Sequence, residues 1–116
     1  MHTLIVSDLV GENVITIEDG KIVYDKLFPF LKMRQPVCLD FSGVSIFASP
    51  FFNTAIGRLY KDFSSEELNS LLFFQNISPH GNAVLSRVLE NSKKYYSSSE
   101  TERDEWNSIV TRQGEE

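Results

Sequence analysis

The sequence predicts an α/β domain of four strands and three helices in the order β-β-α-β-α-β-α, and three observations predict it. The run Pro36-Val37-Cys38-Leu39-Asp40-Phe41 is an apolar strand that turns at Ser42-Gly43 and leads through Ser49-Pro50 into an amphipathic helix. The run Leu71-Leu72-Phe73-Phe74 leads through Ser78-Pro79 into another. Neither strand alternates, which suits strands of a parallel sheet covered on both faces, and each Ser-Pro supplies an N-cap with proline at the first helical position. The two helix starts then share the carboxyl edge of the sheet, where open α/β sheets usually carry their sites.

Taken in chain order, Leu4-Ile5-Val6 and Val14-Ile15-Thr16-Ile17 read as strands with turn chemistry at Gly11-Glu12-Asn13 between them, so the chain is expected to open with a hairpin. Glu18 to Met33 reads as a helix with Ile22, Tyr24, Leu27, Phe28 and Leu31 as its apolar positions, ended or kinked near Phe28 by Pro29. After the third strand, the helix from Pro50 to Phe63 places Phe52, Ala55, Ile56, Leu59 and Phe63 on one core-facing stripe, with Asn53, Thr54, Gly57, Arg58 and Lys61 opposite. Phe51 lies about a quarter turn off that stripe, on the flank of a polar first turn, where it serves either the core or a partner.

Ser64-Ser65-Glu66-Glu67 reads as a short capped turn before the fourth strand, and Pro79 to Tyr96 is a helix through Val84, Leu85, Val88 and Tyr95. Beyond Tyr96 the composition turns to serine and acid, which divides the chain into a domain at 1–96 and an acidic linker and tail at 97–116. Trp106, Ile109 and Val110 are spaced for one short helix in that tail, and Gln113 to Glu116 are expected to lack order.

A chain of 116 residues with 41% hydrophobic content has room for one core and none for two lobes with a cleft between them. No apolar run approaches the ~20 residues that span a bilayer, and the start at Met1-His2-Thr3-Leu4 has neither the basic residues nor the cleavage site of a signal peptide, so a cytoplasmic protein without a membrane partner is expected. A net charge of −5, with basic residues grouped only at Arg58/Lys61 and Lys93/Lys94, argues against nucleic acid as a partner. The single Cys38, between Val37 and Leu39, reads as a small buried hydrophobe and rules out an intrachain disulfide.

Catalytic chemistry is sparse. The two histidines, His2 at a terminus expected to be disordered and His80 near a helix start, stand in no zinc-binding spacing, and no glycine-rich phosphate loop exists. Asp40 at a strand end invites comparison with phosphoacceptor aspartates but has no acidic companions at the strand starts, so it is expected to close its turn by accepting from backbone N–H groups around Ser42-Gly43. Ser49, at a helix N-terminus where negative charge is favoured, would tolerate a phosphate.

The stretch Leu39-Asp40-Phe41-Ser42-Gly43-Val44-Ser45, continued through Gly57-Arg58-Leu59, resembles the STAS superfamily, the domain of anti-sigma factor antagonists and of sulfate transporter tails. The family motif reads approximately D-L-S-G-V-x-x-x-D-S-S-G, and Asp40-Phe41-Ser42-Gly43-Val44 matches its opening. Ser49-Pro50-Phe51-Phe52 and Gly57-Arg58-Leu59 fit the bacterial STAS-like variant, with its serine-rich turn and a helix that begins with phenylalanine. The likeness follows the element order over residues 3 to 96 and is specific over 37 to 60. It implies a mixed four-stranded sheet with helices packed on it, and a histidine-kinase-like ATPase partner that phosphorylates the serine turn. Here Ala48 replaces the motif's aspartate, Ser49 keeps its first serine, and Pro50 stands at the second, the usual phosphoacceptor, so the usual phosphorylation route is not implied and Ser49 is a candidate acceptor only by its place at the helix start.

The expected function is therefore that of a non-enzymatic regulatory module, without cofactor or metal, that docks a kinase-like ATPase or other regulator through residues 47–61. Ser49, Phe51, Thr54, Gly57 and Arg58 are the expected contacts, with Phe51 as apolar anchor, Thr54 and Arg58 as polar contacts and Gly57 as a point of close backbone approach. Two alternatives stand beside it. One is a nucleotide- or phosphometabolite-responsive domain, or small enzyme, that uses Asp40 and Ser49 with His80; the other is a homodimer.

Overall fold

The computed structural model describes residues 1–97. The chain runs β1 (His2–Ile5), α1 (Val6–Val10), β2 (Asn13–Val14), α2 (Ile17–Lys32), β3 (Val37–Asp40), β4 (Ile46–Phe47), α3 (Ser49–Ala55), a 3₁₀ helix (Gly57–Lys61), α4 (Ser65–Leu71), β5 (Leu72–Gln75) and α5 (Pro79–Ser97). The strands form two small parallel sheets, one ordered β1-β3-β5 and one pairing β2 with β4, in place of the expected single mixed four-stranded sheet. The opening hairpin is also corrected. After β1 the chain enters α1, so Gly11-Glu12-Asn13 joins a helix to β2, and β1 pairs with β3 instead, from His2↔Val37 to Ile5↔Asp40.

In β3, Val37, Cys38 and Leu39 are all buried, as a central parallel strand should be. Register then assigns the faces. Val37 and Leu39 align with Leu72 and Phe74 over the core, while Cys38 lies between Thr3 and Phe73, both exposed. Burial on both faces thus holds for β3 alone, because β1 and β5 are edge strands. His2, expected at a disordered terminus, is instead held in β1: its backbone N–H donates to Pro36 O at 3.1 Å, its Nε2 lies 3.1 Å from Gln35 Oε1, and its ring lies 4.3 Å from that of Phe30.

The helix α2 starts where Thr16 Oγ1 accepts from Asp19 N–H at 3.1 Å, with Glu18 and Asp19 in the first turn complementing the helix dipole. Its buried stripe is Gly20, Val23, Leu27 and Leu31. Ile22 points outward at 43% exposure, and Tyr24 and Phe28 lie on the flank. Pro29 neither ends nor breaks the helix, which runs on to Lys32. Full burial of side chains such as Val23, Leu27 and Leu31 contributes about 1.5–3 kcal/mol each, which outweighs the backbone hydrogen bond a proline removes.

The stripe expected in the next helical segment is confirmed, since Phe52, Ala55, Ile56, Leu59 and Phe63 are all buried. The segment itself is split. α3 ends at Ala55 and the backbone tightens into the 3₁₀ helix from Gly57. The expected short turn at Ser64 is a full helix, α4, closed by a capping box in which Ser64 N–H donates to Glu67 Oε1 at 2.7 Å and Glu67 N–H donates to Ser64 Oγ at 3.1 Å. Arg34 pairs with the same Glu67 at 2.7 Å. The segment expected to follow the domain as a tail lies outside the described residues, apart from Ser97 at the end of α5.

Candidate functional site

Because β3 and β5 are parallel neighbours, Asp40 and Gln75 end them side by side, and the carboxyl edge of the sheet is where the sequence placed it. Asp40 Oδ1 accepts from Ser42 N–H at 2.8 Å, from Ser42 Oγ at 2.7 Å and from Asn76 Nδ2 at 3.1 Å, while Oδ2 accepts from Gln75 Nε2 at 3.2 Å. The Ser42 hydroxyl and N–H, then Asn76 and Gln75, hold the carboxyl far below the usual carboxylate range. Asp40 thus closes its own turn, as expected, and also clips the end of β3 to the end of β5. A carboxylate with both oxygens so engaged is a poor base or nucleophile.

At the second helix start, Ser78 Oγ accepts from Gly81 N–H at 3.1 Å, which is the expected serine cap ahead of Pro79. At the first, the register is one residue off. Ala48 is the N-cap, without a side-chain hydrogen bond, and Ser49 is the first helical residue with Pro50 second. His80 is exposed in the first turn of α5. Burial pushes the Cys38 thiol up, and the charge of Asp40 adds to the rise, so Cys38 is inert packing. No cluster of three or more His, Cys, Asp or Glu able to hold a metal ion occurs among the described residues, nor is any described helix long and apolar enough to cross a membrane.

An open groove of about 540 Å³ runs between α3 with its 3₁₀ extension and the last turns of α5, lined on one side by Asn53, Thr54, Gly57 and Arg58. Asn91, Ser92, Tyr95 and Tyr96 form the other side. It exists because two glycines let helices meet closely. A Cβ on Gly57 would lie 2.7 Å from Ser92 Oγ, and one on Gly20 would lie 2.7 Å from Phe51 O and 2.8 Å from Thr54 Cβ. α3 is therefore covered by α2 on one side and approached by α5 on the other. Thr54 and Ser92 are buried in the lining, whereas Asn53, Arg58 and Asn91 are exposed. The Arg58 guanidinium sits 4.6 Å from the centre of the Tyr24 ring, which fixes the cation at the groove's edge.

This geometry brings three of the sequence-predicted contacts, Thr54, Gly57 and Arg58, into one groove and leaves two outside it. Phe51 is corrected: its ring is 1% exposed and packs edge-on against Phe52 at 5.3 Å, so it is core and offers no anchor. Gly57 does permit a close approach, but the chain that approaches is α5 of the same molecule. Thr54 is 8% exposed, which leaves Arg58 as the one expected contact with an exposed side chain. Ser49 is half-buried at the start of α3. Asn91, Ser92 and Tyr96 were not foreseen as site residues, because no local pattern ties residue 57 to residue 92.

A family model described as a STAS-like domain of unknown function matches residues 19–82, from the first turn of α2 to the first turn of α5. It covers α3 and the 3₁₀ helix but not the α5 side of the groove. No curated protein and no solved structure matches the chain.

Proposed function

We propose, from the premise that the chain belongs to the STAS-like domain family, that it is a non-enzymatic module that docks a protein regulator through the groove between α3 and α5. A cytoplasmic kinase-like ATPase is the partner class that the likeness to anti-sigma factor antagonists suggests. The observation that carries the reading is the groove itself: an open surface with exposed amides at Asn53 and Asn91, a cation at Arg58 and two tyrosines, which takes in the Gly57-Arg58 part of the family motif. Tyrosine and arginine beside hydrogen-bonding amides are the side chains that concentrate binding energy at protein interfaces. The engagement of both Asp40 oxygens supports a binding role over the alternative use of Asp40 with Ser49 in catalysis. A phosphate on Ser49 would add charge at the start of α3, beside this face, and so act as a switch on docking.

Affinity capture from native-host lysate with the wild type and with Asn53→Arg tests the proposal, with the intact mass of the bait read in the same run. A kinase-like ATPase retained by the wild type and lost with Asn53→Arg is the expected result, and added phosphate mass removed by Ser49→Ala would identify the acceptor. Equal retention by both baits, or no selective retention by the wild type, would refute docking at the groove.

A second reading is favoured by a different surface. Ile5 and Phe73, 41% and 39% exposed, lie on the edge strands of the three-stranded sheet, on either side of β3. Self-association through that sheet would cover them, and light scattering at two concentrations distinguishes a dimer from a monomer.

A further inference from the structure

A second groove, of about 330 Å³, lies on the 3₁₀ and α4 side of Tyr96, lined by Tyr60, Phe63, Ser64, Ser65, Lys93 and Tyr96. Its character differs from that of the first. Three aromatic side chains form most of it, two serines stand at one end, and the exposed Lys93 supplies the cation. Lys93 makes no salt bridge among the described residues. Such a site suits an aromatic group flanked by carboxylates: rings pack against rings, an ammonium is drawn to the face of an indole above all, and nearby acids are drawn to the ammonium.

The chain carries such a segment close at hand. Six of its sixteen Asp and Glu residues and two of its eleven Lys and Arg fall in 98–116, so that stretch holds −4 of the net −5. Its one tryptophan, Trp106, follows directly on Asp104-Glu105 and precedes Ile109 and Val110 at the i+3 and i+4 spacing that would put all three on one helix face. The segment also starts beside the groove, since Tyr96 lines it and α5 ends at Ser97. The eight residues Ser98 to Glu105 span up to about 28 Å when extended. A return over one helical turn, from Ser97 back to Lys93, needs only about 5.4 Å. Serines at 98 and 99 suit the reversal.

We infer that the acidic segment folds back on its own domain, with the Trp106 indole seated among Tyr60, Phe63 and Tyr96 and with Asp104 and Glu105 facing Lys93. This seat shares only Tyr96 with the groove at Arg58, and Lys93, which lines the seat alone, lets the inference be tested apart from the docking proposal. Trp106 is the only tryptophan, and its fluorescence in the full chain tests the seat directly. Expected are an emission maximum shifted to the blue of the urea-unfolded chain, acrylamide quenching several-fold weaker than that of the unfolded chain, and no dependence of either on protein concentration. Lys93→Glu, at an exposed position, and Tyr96→Ser should each return emission and quenching towards the unfolded values while far-UV circular dichroism keeps its melting transition. The inference is overturned by wild-type emission equal to that of the unfolded chain, or by a blue shift that survives both substitutions. A shift that grows with concentration also overturns it, by assigning the seat to the segment of a second copy.

Discussion

Gly20→Ala sets two well-known effects against each other. In an ordinary helix interior the change is favourable by about 1 kcal/mol, because alanine loses less backbone entropy than glycine. At this position the new methyl would lie 2.7 Å from Phe51 O, 2.8 Å from Thr54 Cβ and 3.3 Å from Ala55 N. Two of those neighbours are backbone atoms of α3, so no rotamer change relieves the contact and α2 and α3 must move apart. Overpacking of a tight core costs typically 1–3 kcal/mol and occasionally more. A crossing that separates also loosens Val23, Leu27, Phe51 and Phe52 around it, so the upper part of that range applies. The net expectation is a loss of about 1–2 kcal/mol, a fall in Tm of roughly 5–15 °C for a domain of this size. Urea unfolding followed by far-UV circular dichroism reads it as a lower midpoint at an unchanged slope. A midpoint equal to or above that of the wild type would mean that the α2–α3 crossing is not as close as described, and the account of the groove built on it would fail.

The remaining predictions use the same transition. Phe51→Ala removes a fully buried ring and should cost about 3–5 kcal/mol; a loss within experimental error would place Phe51 on the surface after all. Ser64→Ala removes the acceptor that caps α4 and should cost about 1 kcal/mol, against no change if the capping box is not formed. Asp40 has its folded pKa depressed, so its contribution is present above the unfolded value of about 3.9 and is lost as pH falls through the folded one. Wild-type stability should therefore decline on acidification below about pH 4 more steeply than that of Asp40→Asn, and parallel curves would contradict the clip between β3 and β5.

Much of the frame is legible in the amino-acid sequence. β3 shows as a short apolar run closed by turn residues, and the buried stripe from Phe52 to Phe63 shows as a 3.6-residue period. Other features escape for identifiable reasons. α1 is hidden because Val6-Ser7-Asp8-Leu9-Val10 continues an apolar run and is too short to display a period. β4 is two residues long and owes its state to pairing with β2, from Asn13↔Ile46 to Val14↔Phe47, across more than thirty residues of chain. Phe51 defeats a stripe argument because that argument assumes one covered face, while α3 is covered on two by virtue of Gly20. The groove is half legible: Thr54, Gly57 and Arg58 share a helical face that can be read locally, but Asn91 and Ser92 come to them only through the path of α5.

The most direct test of the docking account is the dissociation constant of the captured regulator, measured with purified components, for the wild type, Asn53→Arg, Asn91→Arg and a control, Thr3→Arg, on the exposed edge strand β1. The account predicts at least a tenfold weakening, about 1.4 kcal/mol, for each of the two groove variants and none for the control. Wild-type affinity in both groove variants, or a loss confined to Thr3→Arg, would contradict it.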